Sequence, residues 1–210
     1  MDLRDIPPYA EALAREQASR NAAFLDITET VAGFELRQMT LRDYLVLQVM
    51  RHPLLGGGTP SPEDLVAFLW LLSPAYRPAF TLGSFVNRRL FLRRCAGFLP
   101  SLRHGMTPER LVIAARIVEA CRAYVAETMQ DNGPTVRGRG FTPTYWSDGA
   151  DICAALGREY GWTDTHTLGM PMKRILQYLN EIRSAHGSKT PLCNPSDRVL
   201  NEWMMANRRN

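Results

Sequence analysis

The cysteines and histidines of this chain are the side chains best suited to hold a metal ion. Structural zinc takes four such ligands, usually supplied as two closely spaced pairs. No two cysteines here are separated by two residues, and no two histidines are four residues apart. The candidates are Cys95, Cys121, Cys153, Cys193, His52, His104, His166 and His186. Their spacing predicts no metal site, and the first three cysteines are expected to pack as small apolar side chains on helices.

Two pairs of carboxylates have the spacing needed for acid–base catalysis: Asp148 with Asp151, and Glu63 with Asp64. Each pair falls in the first turn of a predicted helix, where acidic side chains cap the helix and oppose its dipole. That structural role is favoured over catalysis. No nucleophile elbow or Ser/His/Asp arrangement is visible, although a triad assembled from distant positions stays an open alternative. The sequence predicts a protein that is not an enzyme and needs no cofactor.

Gly56-Gly57-Gly58 is the glycine run that could cradle a phosphate. A phosphate-binding loop follows a strand and continues into Gly-Lys-Ser/Thr. Here a predicted helix comes before the run and Thr59-Pro60 comes after it. The run is therefore interpreted as a joint between two helices.

Arginines provide the candidate contact with nucleic acid. Four of them lie in one predicted helix: Arg88, Arg89, Arg93 and Arg94. At about 100° per residue they fan around that helix, which favours separate salt bridges over one face along a phosphate backbone. The Arg-Gly repeat at 137–140 is a second, weaker candidate. The net charge of +4 and the pI near 9.0 are mild and spread along the chain, so nucleic-acid binding is the less favoured alternative.

Apolar helical surface is the stronger functional signal. The composition, 45% hydrophobic and 22% charged, is that of a soluble globular protein. Several predicted helices carry aromatic and methionine side chains, which suit adaptable contacts with apolar partners. Any one of them alone is more often a core residue. The candidate partner-binding residues are Phe68, Trp70, Leu72, Met172, Leu176 and Trp203.

The elements that position these residues are predicted to be mainly α-helical. Thr40, followed by Asp43, and Ser61, followed by Pro62, are expected to cap two strongly apolar helices. We expect a helical domain over residues 1–130 that contains a small β-hairpin near 27–39, turning at Gly33. A glycine-rich linker or loop over 131–145 would then lead to a smaller C-terminal helical unit over 146–210.

Two segments of the chain share motifs with one family. The first, Phe34 to Tyr76, runs Phe-Glu-Leu-Arg-Gln-Met-Thr-Leu-Arg and later Thr-Pro-Ser-Pro-Glu-Asp-Leu-Val-Ala-Phe-Leu-Trp before Leu-Ser-Pro. The second, Tyr160 to Ile182, contains a Tyr-Gly-Trp turn followed by Leu-Gly-Met-Pro and an amphipathic helix. Both segments resemble the tail assembly chaperones and related small morphogenesis proteins of long-tailed bacteriophages.

This resemblance implies a non-enzymatic chaperone that binds the apolar helices of the tape-measure protein and recruits tail-tube subunits in the cytoplasm of the bacterial host. The alternative is a structural subunit of the neck, adaptor or tail that stays in the virion, and either protein could form a homo-oligomer. The N-terminus lacks the apolar core of a signal peptide. The longest apolar run, Leu65 to Leu72, is well below the roughly 20 residues of a membrane helix. Neither export nor a membrane span is expected.

Overall fold

The computed structural model describes residues 6–25, 27–76, 108–129, 147–186 and 195–207. Within these ranges the protein is mainly helical, with eight helices and one two-stranded antiparallel sheet, which confirms the predicted fold class. The helices are α1 Pro7–Ala22, α2 Leu41–Val49, α3 Pro62–Leu72, α4 Pro108–Thr128, α5 Asp148–Tyr160, α6 Asp164–Gly169, α7 Met172–Ala185 and α8 Pro195–Asn207; the strands are β1 Thr28–Val31 and β2 Phe34–Arg37. The predicted linker at 131–145 lies outside the described residues.

The hairpin expected near 27–39 forms from β1 and β2. Val31 pairs with Phe34, so Ala32 and Gly33 alone make the turn. Their φ angles are 51° and 86°. A two-residue hairpin loop whose twist matches its strands needs positive φ at both positions. Gly33 adopts that conformation freely, whereas Ala32 does so at a steric cost.

α2 and α3 begin at the two predicted caps. The Thr40 hydroxyl accepts the Asp43 N–H at 3.3 Å, and the Asp43 carboxylate accepts the Thr40 N–H at 2.9 Å. Ser61 and Asp64 repeat the arrangement at 3.2 and 3.0 Å. Each reciprocal pair satisfies backbone donors that a helix N-terminus otherwise leaves without partners. The acidic residues at these two starts therefore have a structural role.

α3 forms the centre of one hydrophobic core. It packs against α2 and β2, and its side chains from Leu65 to Leu69 are at most 5% exposed. His52, in the loop before α3, is also buried. Its Nδ1 accepts the Leu54 N–H at 3.2 Å, so the proton lies on Nε2, which donates to the Asp64 carbonyl at 2.9 Å. The histidine thus ties this loop to the first turn of α3.

A partly buried polar cluster, here called the polar anchor, consists of Arg37, Thr40, Asp43 and Tyr124. The Arg37 guanidinium donates twice to the Asp43 carboxylate, at 2.6 and 2.8 Å. It also donates to the Leu71 carbonyl at 2.9 Å. The Tyr124 hydroxyl donates to the Arg37 carbonyl at 3.1 Å and accepts the N–H of the residue before Thr40 at 3.0 Å. The anchor connects β2 with α2, α3 and α4.

The chain divides into two compact units. The hairpin unit comprises Asp26–Met129 and Leu168–Met172, and the terminal unit comprises Met1–Leu25, Gln130–Thr167 and Lys173–Asn210. This division differs from the predicted one, in which residues 1–130 and residues 146–210 formed two separate units. It differs because α1 packs against α8, so the first helix groups with the C-terminal elements.

The short segment 168–172 belongs to the hairpin unit because its backbone pairs with residues just after β2. The Leu41 N–H donates to the Met170 carbonyl at 3.1 Å, and the Met172 N–H donates to the Met39 carbonyl at 2.8 Å. These bonds flank an antiparallel bridge between Thr40 and Pro171. Thr40, the predicted cap of α2, thus also pairs with segment 168–172 in the manner of a β-strand. No described helix is long and apolar enough to cross a bilayer.

Candidate partner-binding surface

Four aromatic side chains of the terminal unit form a chain of ring contacts, here called the aromatic cluster: Phe24, Tyr160, Trp162 and Tyr178. The rings of Tyr160 and Trp162 stack with centroids 4.7 Å apart. The Tyr178 ring meets the Trp162 ring edge-on at 4.8 Å and the Phe24 ring edge-on at 5.9 Å. Stacked and edge-to-face pairs at these distances are the favourable aromatic geometries.

A tight helix end places two of these rings side by side. Gly161 follows α5 in the left-handed conformation, with φ of 70°, and its N–H donates to the Gly157 carbonyl at 2.9 Å. This is the usual glycine termination of a helix. The chain reverses at Gly161, so Trp162 folds back onto Tyr160. The Tyr-Gly-Trp sequence therefore places two of the four rings of the aromatic cluster next to each other.

The other half depends on α7 and the end of α1. The Arg174 guanidinium lies over the Phe24 ring, 4.9 Å from its centroid, and its Nε donates to the Ala23 carbonyl at 3.1 Å. Gln177 donates to the Arg20 carbonyl at 3.1 Å. These bonds occupy carbonyls at the C-terminus of α1, where positively charged side chains are favoured by the helix dipole. They hold Phe24 beside Tyr178.

The aromatic cluster is open to solvent. Phe24 is 45% exposed, the adjacent Leu25 56% and Tyr160 38%, while Trp162 and Tyr178 are half-buried. Desolvation by neighbouring groups, followed by the carboxylate of Glu181, raises the pKa of the Tyr160 phenol. An exposed group of large apolar side chains rimmed by charge is a common feature of binding sites for other molecules. Tyr and Trp suit such sites because they cover area with few rotatable bonds.

Three of the six predicted contact residues lie in the interior. Phe68 and Leu72 are fully buried on α3, and Met172 is 1% exposed. Their apolar helical spacing, which suggested an interface, belongs to the protein's own core. In this conformation they have no surface to offer a partner.

The other three predicted contacts are half-buried: Trp70, Leu176 and Trp203. Trp70 packs against a core cluster of Met50, Val66 and Ala67, and its ring meets the Tyr76 ring edge-on at 4.6 Å. Trp70 belongs to the hairpin unit, whereas Leu176 and Trp203 belong to the terminal unit. The six predicted residues are thus divided between the two units, and three of them are buried.

The two thiols in the described residues differ in environment. Burial raises the pKa of the Cys121 thiol to about 12, and Cys121 is fully buried on α4. Cys153 is half-buried on α5, with its pKa raised by burial and by the nearby Asp164. Over the described ranges, no three His, Cys, Asp or Glu side chains group as metal ligands. The four arginines at 88–94 lie outside those ranges.

The sequence contained part of the signal for the aromatic cluster. Tyr160 and Trp162 stand in the Tyr-Gly-Trp turn, which is visible in the sequence, but neither was predicted to be a contact residue. Phe24 and Tyr178 are far from that turn in sequence, and only the fold brings them to it. The chain matches no protein-family model, and searches of curated proteins and of solved structures gave no significant match.

Proposed function

We propose that this chain is a non-enzymatic chaperone of phage tail assembly that binds apolar helices of the tape-measure protein and helps to recruit tail-tube subunits. One observation carries the proposal. The solvent-open aromatic cluster is built around the Tyr-Gly-Trp turn, which lies in one of the two segments that resemble tail assembly chaperones. The surface that is free to contact a partner thus coincides with a shared motif.

The physical role follows from the chemistry of the surface. A long apolar helix that waits for assembly exposes area that would otherwise aggregate. Tyr and Trp rings can cover such a helix face while their polar atoms stay in water. The aromatic cluster is small, so each contact is weak and the helix can be released when tube subunits arrive. Tight, irreversible binding would oppose assembly.

Co-expression with a tape-measure protein and a tail-tube protein of a long-tailed phage, followed by affinity purification, tests the proposal. We expect co-purification of the tape-measure protein, and a loss of at least about tenfold in affinity for Tyr160→Ser combined with Phe24→Ser. Val49→Ser is the matched control, because Val49 is 59% exposed on α2 in the hairpin unit and lies outside the aromatic cluster. Equal weakening by the control would count against the aromatic cluster as the binding surface.

Two further measurements separate the alternative functions. Mass spectrometry of mature particles should find no copy of this chain, and its stoichiometric presence would favour a structural subunit instead. Mobility-shift assays at low salt should find no retardation of DNA or RNA. Retardation that disappears when Arg88, Arg89, Arg93 and Arg94 are neutralised would favour a nucleic-acid-binding factor.

A further inference from the structure

The Tyr160 ring has one open face at the edge of the aromatic cluster. Its centroid lies 4.7 Å from that of Trp162, which stacks on it, and 5.3 Å from that of Tyr178. The Trp162 and Tyr178 centroids are 4.8 Å apart, so Tyr178 lies beside the stacked pair and not on the far face of Tyr160. That far face meets no other ring in the described part of the chain, and Tyr160 is 38% exposed. Aromatic faces carry negative charge density, so this one is suited to a cation.

A carboxylate without an ion-pair partner accompanies this ring. Glu181 is exposed, and among the described side chains none forms a salt bridge with it. A second carboxylate, that of Glu159, lies 3.0 Å from the His186 Nε2. Desolvation raises the pKa of the Tyr160 phenol, and the charges of Glu181 and Glu159 raise it further. Both negative charges therefore act at the open edge of the aromatic cluster.

The backbone adds to this negative potential, and the basic side chains next in sequence lie on other faces. α5 ends at Tyr160, so the carbonyl groups at the negative end of its dipole are nearby. Arg158 and Arg183 are two residues away from Tyr160 and Glu181, respectively. At about 100° per residue, each arginine is about 160° around its helix from that neighbour. Arg183 donates instead to the Asn180 side chain at 3.2 Å.

We propose that the helix bound at the aromatic cluster carries a lysine or arginine at the border of its apolar face, and that this side chain packs on the open face of Tyr160 beside Glu181. Such a side chain offers an apolar stem to the ring and a charge to the carboxylate. A wholly apolar helix would desolvate Glu181 without a partner, and an acidic one would be repelled. The inference deepens the proposed function and rests on it for the identity of the helix.

Three synthetic peptides of about 18 residues, long enough to form a helix in water, test this choice of partner. They share a leucine face and a glutamine-rich polar face and differ only at one border position, which is lysine, norleucine or glutamate. Norleucine has an apolar stem like that of lysine but no charge. Fluorescence anisotropy of each labelled peptide with the purified full chain gives its dissociation constant. We expect the lysine peptide to bind about three- to tenfold more tightly than the norleucine peptide, and the glutamate peptide to bind most weakly.

Variants of the full chain locate the origin of this preference. Glu181→Gln keeps the size of the side chain and should reduce the preference for lysine to about twofold or less. Tyr160→Leu keeps apolar area without an aromatic face and should also reduce it. Glu181→Lys should reverse it, so that the glutamate peptide binds more tightly than the lysine peptide. Glu119→Gln is the matched control, because Glu119 is exposed on α4 in the hairpin unit. Circular dichroism checks that each variant is folded.

Equal affinities for the lysine and norleucine peptides overturn the proposal, and so does a preference that Glu181→Gln leaves intact or that Glu119→Gln weakens equally. Absence of binding by all three peptides overturns it as well. The chaperone function is judged separately. Equal affinities that are lost in the Tyr160→Ser/Phe24→Ser variant refute the basic partner and leave the apolar surface in place. A lysine preference without co-purification of the tape-measure protein refutes the chaperone alone.

Discussion

The polar anchor of the hairpin unit and the aromatic cluster of the terminal unit differ in how much of their side-chain surface is left in contact with solvent. In the anchor, the Asp43 carboxylate and the Tyr124 hydroxyl are buried, and both make several hydrogen bonds inside the protein. In the aromatic cluster, Phe24 and Tyr160 pack against other rings yet keep much of their area in water. The anchor has all its partners within the chain. The aromatic cluster retains surface for a partner outside it.

If the anchor holds the hairpin unit together, its central carboxylate should give the largest effect among the polar side chains of that unit. Asp43→Asn removes the charge that the Arg37 guanidinium faces and weakens the cap of α2. The Arg37 side chain is 29% exposed, so we expect a loss of about 3 kcal/mol in the free energy of unfolding, at the low end for a broken buried pair. Urea denaturation followed by circular dichroism measures it.

Glu63→Ala is the matched control for this prediction. Glu63 stands in the first turn of α3 as Asp43 does in α2, but it is exposed. Its removal should cost less than about 1 kcal/mol, since only the helix dipole is affected. Equal losses for both changes would show that the anchor contributes no more than an ordinary helix start.

Alkaline pH should also lower the free energy of unfolding of the hairpin unit. Desolvation raises the pKa of the Cys121 thiol to about 12, and desolvation also raises that of the Tyr124 phenol. Both groups are neutral when protonated, so between about pH 9 and 12 the folded chain keeps protons that the unfolded chain releases. The free energy of unfolding is therefore unaffected below about pH 8 and falls as pH rises through that window, by up to about 1.4 kcal/mol per pH unit for each group.

Cys121→Ala separates the two contributions to this pH dependence. The variant should show a shallower decline of the free energy of unfolding above pH 9 than the wild type, because only Tyr124 then contributes. Urea denaturation at pH 8, 9, 10 and 11 measures the slope. An unchanged slope would mean that the Cys121 thiol ionises in the folded chain as easily as in the unfolded one.

The hydroxyl of Tyr124 is expected to matter less than the Asp43 carboxylate. Tyr124→Phe leaves the Met39 N–H and the Arg37 carbonyl without this partner, while the ring keeps its edge-on contact with Phe68. Loss of a buried hydrogen-bond partner costs about 1–3 kcal/mol. Chemical denaturation measures the change, and hydrogen exchange should show faster exchange at the Met39 amide. Retained protection there would mean that the amide finds another acceptor.

The sequence predicted the parts of this fold whose cause is local. The hairpin turn at Gly33 and the caps at Thr40 and Ser61 each depend on a few consecutive residues, and all three form. The sequence did not predict the polar anchor or the pairing of Met39 with Met172, because these contacts join residues far apart in the chain.

The candidate site was harder to predict for a related reason. An apolar stripe on a helix has the same spacing whether it faces the protein's own core or a partner, so Phe68, Leu72 and Met172 were selected although they are buried. The pattern gives the face of the helix that is apolar but leaves open what covers that face. The aromatic cluster needed the fold, because Phe24 comes from the end of α1 and its neighbouring rings come from α5 and α7.

A small effect on stability is expected at the aromatic cluster, where it is most informative. Phe24→Ala and Phe68→Ala remove the same atoms, but Phe24 is 45% exposed and Phe68 is fully buried. The buried deletion should cost about 3–5 kcal/mol through lost burial and a cavity. The exposed one should cost about 1 kcal/mol, mainly the contacts with Tyr178 and Arg174. If Phe24→Ala instead destabilises the chain as much as Phe68→Ala, the aromatic cluster is part of the core of the terminal unit. A small loss, together with weaker binding of tape-measure helices, would mean that these rings contribute little to folding and mainly contact another molecule.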